Sequence, residues 1–372
     1  MSFNRNQQAF LELLRAGLWE SDARLMPYGG IDYNDICHIA EEQSVEGIVA
    51  AGLEHVMDVK APKEIALSFA GAALQLESRN VAMNGFIEQL TSAMRDAGIY
   101  ALLMKGQGVA QCYERPNWRS AGDIDFLLCE DNYEKAKQLL IPEASSVEPE
   151  GAYGKHLGMI IDSWSVELHG SLRSGLSRSV DQTLDSIQED YFSSGDVRGW
   201  MNGRTQVFLP GANGDALYVF THILQHFYKG GIGLRQICDW CRLLYAYRDS
   251  LNHGLLESRI RKMGLMTEWR AFGAFAVEFL GMSTEAMPFY SSSWKWKRKA
   301  DRICTFVLDV GNFGHNRDMS YIRKYPYFIR KCRSFGRRCS DLWRHARVFP
   351  MDTLRFFPVI VFNGLRAAAR GE

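Results

Sequence analysis

The sequence predicts an α+β protein in which a small mixed sheet sits between two helical regions. Three observations carry that reading. Apolar residues recur at helical spacing through residues 1–98. Short apolar runs bounded by turn residues follow within 99–210. Helical periodicity then returns and persists to the end. A chain of 372 residues is long enough for two or three domains with a substantial core. The expected division is a helical region over 1–98, an α/β core over 99–210, and a helical region with a basic tail over 211–372.

Composition narrows the class. The chain is 47% hydrophobic and 23% charged with a formal net charge of zero, so no global pull on nucleic acid is expected. The Met1–Phe10 stretch lacks an apolar h-region, so no secretory leader is expected. The apolar stretch Phe356–Leu365 is too short to span a bilayer and contains Pro358 and Asn363. The eight cysteines are scattered and fit reduced thiols in a cytoplasm better than a disulfide framework.

The elements follow in order. Phe10, Leu11, Leu13, Leu14 and Leu18 mark a first helix. Ile36, Ile39, Ala40, Ile48, Val49 and Leu53 continue the pattern, with Ser21 or Asp22 expected to cap a short second element. Pro62 marks a boundary, and Ile65–Met94 reads as one long helix or two. Residues 99–104 read as a strand ending in a glycine turn, Lys105-Gly106-Gln107-Gly108. Val109–Tyr113 resumes helical character and Pro116-Asn117 breaks it. Asp123–Leu128 is a second strand, and Asn132–Leu140 a short helix expected to be capped by Asp131. Residues 142–154 read as a loop. Leu157–Ile161 and Ser165–His169 read as strands joined by a tight Asp162-Ser163-Trp164 turn. Helices return from Asp181, interrupted over residues 193–203 and by a strand at Thr205–Leu209. Asp215–Tyr228 and Leu234–Tyr247 are helical. The tail is basic, with twelve Lys or Arg against three Asp or Glu over residues 321–372.

One strand carries the chemistry. Asp is depleted in strands, yet Asp123 and Asp125 open an apolar run. Positions i and i+2 of a strand share a face, so both carboxylates project together while Ile124, Phe126 and Leu128 face a core. Two like charges that close repel unless a cation sits between them. A divalent ion with oxygen ligands fits, and magnesium usually arrives with substrate phosphates. By this reasoning Asp125→Asn should hold or raise thermal stability, because it relieves repulsion. Glu167, between Val166 and Leu168, joins the pair if its strand lies beside Asp123–Leu128, and three carboxylates can hold two magnesium ions. Upstream, Gly106 and Gly108 permit close backbone approach, and the N–H groups opening the next helix suit an anion. Lys105 supplies a point positive charge and Arg119 a planar bidentate phosphate ligand. A phosphate seat beside a metal seat is what nucleotidyl transfer requires.

These residues bear a family resemblance. The pattern Leu103-Met104-Lys105-Gly106, then Tyr113, Pro116, Arg119, Gly122-Asp123-Ile124-Asp125-Phe126-Leu127, then Val166-Glu167-Leu168-His169, resembles the bacterial nucleotidyltransferase-family proteins of the DNA-polymerase-β-like superfamily. The likeness extends over Gly231–Asp239 and the helical layout before residue 98. It implies a nucleotidyltransferase-like sheet, a nucleoside triphosphate (NTP) substrate, and Asp123, Asp125 and Glu167 as ligands of two magnesium ions. Lys105, Gly106, Gln107, Gly108 and Arg119 would hold phosphates, and His222, Arg235 and Asp239 would line the acceptor cleft. The acceptor, a small molecule such as a sugar or a protein side chain, is not specified. Many relatives carry Gly-Ser after the first strand, whereas here Gln107 follows Gly106. The alternative is a catalytically inactive nucleotide-binding or scaffold protein that kept the fold.

Other patterns overlap. Gly106-x-Gly108 after a strand partly matches a dinucleotide fingerprint, but Gln111 occupies its third glycine position. His222 and His226 lie one helical turn apart, and Cys238 and Cys241 follow, a spacing compatible with zinc; buried core residues explain them more simply. His169 reads as structural or as support for Glu167. In the tail, Arg330, Lys331, Arg333, Arg337, Arg338, Arg344 and Arg347 interleave with Tyr327, Phe328, Phe335 and Trp343. That pattern suits a solvated helical face, or weak contact with an anionic surface such as lipid or RNA.

Overall fold

The computed structural model describes residues 3–150, 155–229, 231–311, 343–356 and 358. Helix α1 (Arg5–Trp19) starts in a capping box. The Asn4 side chain accepts from the Gln7 N–H, and the Gln7 side chain accepts from the Asn4 N–H. Its apolar stripe, including Phe10, Leu13, Leu14 and Leu18, is buried. Helices α2 (Tyr33–Gln43) and α3 (Glu46–Glu54) follow. The expected cap at Ser21 or Asp22 is not made: the short 3-10 turn Met26–Tyr28 has no side-chain cap, and Asp32 caps α2 instead. Helix α4 (Lys63–Asp96) is one helix of 34 residues, about 50 Å long. Its first half gives Phe69 and Ala73 to a helical core, and its second half gives Met83, Phe86, Ile87 and Leu90 to a sheet core.

The sheet is built from β1 (Ala101–Met104), helix α5 (Gly106–Ala110), β2 (Ile124–Leu128), helix α6 (Glu130–Leu140), β3 (Ser146–Val147), β4 (His156–Ile161) and β5 (Trp164–His169). Strand order is β1-β2-β5-β4-β3. Strands β2 and β5 run parallel, and the other neighbours are antiparallel. The β4–β5 turn is two residues, Asp162 and Ser163, with φ of 47° and 71° as a tight I′ hairpin requires. Trp164, expected in the turn, opens β5 and stacks on Phe86. Asp131 is not the cap of α6: Cys129 holds that position without a side-chain bond, and Asp131 lies in the first turn, where a negative charge suits the helix dipole. Strand β3 lies within the expected loop; its two residues are both exposed, so they carry no apolar alternation.

Alternation sorts the sheet faces. Ile124, Phe126, Leu128, Val166 and Leu168 pack with Tyr133, Ala136 and Leu140 of α6 in the sheet core. Leu102, Met104 and Leu127 face the helical core on the other side. That second face also carries Asp125, Glu167 and His169.

Helix α7 (Arg178–Ser193) leads to the hairpin of β6 (Val197–Asn202) and β7 (Thr205–Pro210). Strand β6 replaces the expected interruption over 193–203. Only Asn202 of its residues is buried, so its pattern is weak. Helices α8 (Ala212–Lys229), α9 (Leu234–Ala246), α10 (His253–Met263), α11 (Met266–Glu278) and α12 (Trp294–Val310) follow, and residues 343–348 and 350–356 of the tail are helical. One apolar core runs from Phe10 through Phe220, Trp240 and Phe272 to Phe349 and Phe356, so the helices before and after the sheet pack together. In the tail, Tyr327, Phe328, Arg330, Lys331, Arg333, Phe335, Arg337 and Arg338 lie outside the described residues. The described part is seated by Val348, Phe349 and Phe356, with Trp343 exposed. Among the described residues, no helix is long and apolar enough to cross a membrane.

Candidate active site

Asp125 and Glu167 are direct register partners across the parallel β2–β5 pair, so their side chains share a face. Asp125 is only 4% exposed. Asp123 lies just before β2 and is more open. Desolvation by the surrounding protein, then the charges of Asp125 and Glu167, push its carboxyl up; Lys105 and Arg235 oppose the shift. Three carboxylates thus sense one another in one place.

Cationic groups meet them. Lys105 follows β1 with φ of 50°, and Gly106 comes next with φ of 40°. A non-glycine residue in that region costs about 1 kcal/mol or more. The bend sends Lys105 Nζ to 3.0 Å from Asp125 Oδ1 and to 6.0 Å from the Tyr218 ring centroid. Burial alone would depress the lysine, but Asp125, Tyr218 and Glu167 outweigh it and hold it charged. A Cβ on Gly106 would stand 3.3 Å from the Asp123 carbonyl oxygen, which favours glycine at this approach.

Two histidines complete the cluster. His169 Nε2 lies 2.8 Å from Asp125 Oδ1 and 3.3 Å from Glu167 Oε2, and His156 Nε2 lies 3.0 Å from the same Glu167 oxygen. Burial works to lower His169, but hydrogen bonds to Asp125 and Glu167 prevail and raise it. Hydrogen bonds from His156 and His169 hold the Glu167 carboxyl far below the usual range. His156 escaped the sequence reading. Its signal was the turn: once Asp162 and Ser163 form a two-residue loop, pairing sets His156 opposite His169.

The opposite wall is basic. Arg119 pairs with neither Asp123 nor Asp125. Its Nε and Nη2 donate to Asp239 Oδ1 and Oδ2 at 2.8 and 2.6 Å, and the Tyr113 hydroxyl donates to the same Oδ1 at 2.8 Å. Arg119 Nη1 is buried with no hydrogen-bond partner, and so is Arg235 Nε. Arg235 Nη1 donates to the Ser120 carbonyl at 3.1 Å. Burial, then the Arg119 charge, holds the Arg235 guanidinium below its ordinary value. Two neighbouring guanidinium groups with unmet donors suit an anion. A cavity lies among Lys105, Arg119, Asp123, Asp125, His222, Arg235 and Asp239.

Two expected phosphate ligands point elsewhere. The Gln107 side chain is 2% exposed, and its Nε2 donates to Asn80 Oδ1 at 2.8 Å. Gly108 gives α5 close contact with β7, since a Cβ there would stand 2.9 Å from Leu209 Cδ2. Neither lines the cavity. His222 does; burial, then Lys105 and His226, push its imidazole well down, so it stands neutral. The zinc pattern does not assemble. Cys238 and Cys241 are buried thiols pushed up by burial, and His222 and His226 face each other at 3.1 Å. Among the described residues, the metal-capable group of three or more is His156, Glu167 and His169.

Comparison with curated proteins and with solved structures finds no match. A family model described as "Uncharacterised nucleotidyltransferase" matches residues 29–281. That span covers more than half of the chain and contains the carboxylates and cations of this site. The chain belongs to this family of uncharacterised nucleotidyltransferases.

Proposed function

We propose that the chain is a metal-dependent nucleotidyltransferase of the DNA-polymerase-β-like kind. It moves a nucleoside monophosphate from an NTP to a hydroxyl acceptor. The acceptor oxygen bonds to the α-phosphorus, the bond from that phosphorus to the bridging oxygen breaks, pyrophosphate leaves, and the hydroxyl proton passes to solvent. The observation that supports this reading is the pairing of Asp125 with Glu167 across β2 and β5, beside a cavity walled by Lys105, Arg119 and Arg235.

The donor set fits a divalent cation. Burial, then the charges of Asp125 and Glu167, raise the cost of ionising Asp123, which a cation would offset, and Asp125 Oδ1 already draws the Lys105 ammonium and the His169 imidazole. Asp123, Asp125 and Glu167 would hold the ions. Magnesium there would neutralise triphosphate charge and make the attacking hydroxyl more acidic. Lys105 and the unmet donors of Arg119 and Arg235 would receive phosphate oxygens. Asp239 fixes the Arg119 fork, so that Nη1 is aimed without reorganisation. Glu167, held ionised by two imidazoles, serves as a cation ligand rather than a proton acceptor. Neutral His222 offers its ring to the acceptor hydroxyl.

The test is pyrophosphate release from a panel of NTPs with magnesium and hydroxyl acceptors, including sugars and peptides. Release by the wild type and its loss in Asp125→Asn would support the assignment; undiminished release in that variant would end it. A second reading, a nucleotide-binding relative without turnover, is favoured by one observation: Gln107 stands where many relatives carry a phosphate-binding serine, and its side chain is turned into the interior. Tight NTP binding with no pyrophosphate release across the panel would select it.

A further inference from the structure

We infer that His156, Glu167 and His169 form a binding site for a divalent transition-metal ion, zinc being the ion its donors suit. The site shares Glu167 with the proposed chemistry but stands on its own geometry.

The sequence builds the site from one hairpin. His156 and His169 are register partners across β4 and β5, and Glu167 lies two residues before His169 on the same face. The turn at Asp162 and Ser163 fixes that register, so the three side chains cannot be separated without unpairing the strands. All three potential ligand atoms lie within 4.8 Å of one another. Both imidazole Nε2 atoms aim at one carboxylate oxygen, at 3.0 and 3.3 Å. An ion bound at about 2.0–2.2 Å keeps neighbouring ligand atoms roughly 3.0–3.4 Å apart. Little movement is therefore required to admit one.

The donor chemistry selects the ion class. Magnesium and calcium prefer oxygen ligands, whereas imidazole suits zinc, cobalt, nickel and copper. Two imidazoles and one carboxylate form the three-ligand set of catalytic zinc sites, which leave a further position for water or substrate. His156 is 39% exposed at its side chain, so the site opens to solvent. Asp125 Oδ1 lies 2.8 Å from the same His169 Nε2, a hydrogen bond that this nitrogen gives up when it takes an ion. The inference therefore replaces a magnesium-only site with one that carries a nitrogen-ligated ion at its edge.

The test uses full-length protein freed of metal by chelator and then titrated with cobalt(II), read by visible d–d absorption, and with zinc, read by calorimetry. One equivalent should bind in each case, and His156→Ala and His169→Ala should each weaken binding about a hundredfold or more. Circular dichroism checks that both variants fold. His156→Gln, at a partly open position, provides a second variant that keeps the bulk. Equimolar magnesium should not displace the cobalt. Absence of binding, binding indifferent to both histidines, or displacement by equimolar magnesium would overturn the inference. None of these readouts depends on pyrophosphate release, so the site and the proposed reaction stand or fall separately.

Discussion

Asp125 shows why a strand motif alone misjudges its own energetics. Read as a sequence, Asp123 and Asp125 are two repelling charges, and neutralising one should cost nothing. In the fold, Asp125 is the anion for Lys105 at 3.0 Å and for His169 at 2.8 Å. The expected sign therefore reverses. Asp125→Asn should lower the melting temperature of the metal-free protein, because Lys105 keeps a buried charge without its partner. A melting temperature equal to or above wild type would restore the repulsion account. Arg119 makes the same point on the other wall. Its fork is spent on Asp239, so Arg119→Ala should destabilise by about 3–5 kcal/mol in urea unfolding, the scale of a broken buried pair. A loss near zero would mean the pair contributes nothing. Arg119 and Asp239 are 120 residues apart, and nothing in local spacing couples them. Their pairing was invisible for that reason, whereas the alternation of Asp125 against Ile124 and Phe126 was legible from strand period; Asp123, expected in the strand, lies just before it.

At the scale of elements, local signals worked where pattern and burial agree. Strands β1, β2, β4, β5 and β7 are apolar runs with turn residues at their ends, and they sit where the runs predict. Strands β3 and β6 were missed because their residues are largely open to solvent and exist as strands through partners. Close helix crossings were equally hidden. A Cβ on Gly52 would stand 1.9 Å from the Leu13 carbonyl oxygen, and one on Gly17 would stand 1.8 Å from that of Ile48. Gly52→Ala must push α1 from α3 and should cost about 1–3 kcal/mol by chemical denaturation; an unchanged midpoint would show that the crossing yields freely. Asp215, in the first turn of α8, adds a pH signature. Burial, with help from Asp239 and against Arg198, raises its carboxyl from 3.8 to about 6. Between those values the folded state holds a proton that the unfolded state has released. This group's contribution therefore falls as pH rises through the window, by about 3 kcal/mol. Asp215→Asn, which is neutral at every pH, should remove that slope. Parallel stability-versus-pH curves for wild type and variant would contradict this.

For the whole molecule, the order of helices, mixed sheet and helices was readable because each region has its own period. The shared core was not. Phe10 near the beginning and Phe349 and Phe356 near the end belong to one apolar cluster, and no local pattern announces such a contact. That packing matters to the site, because the acidic sheet face meets α8 and α9 there, and with them His222, Arg235 and Asp239. The central claim is that Asp125 and Glu167 seat a cation through which nucleotide phosphates are held against Lys105, Arg119 and Arg235. Calorimetric titration of an NTP with and without a divalent metal, in wild type and in Asp125→Asn, tests it most directly. The account predicts affinity that requires the metal and disappears in the variant. Equal affinity without metal, or affinity retained by Asp125→Asn, would contradict it.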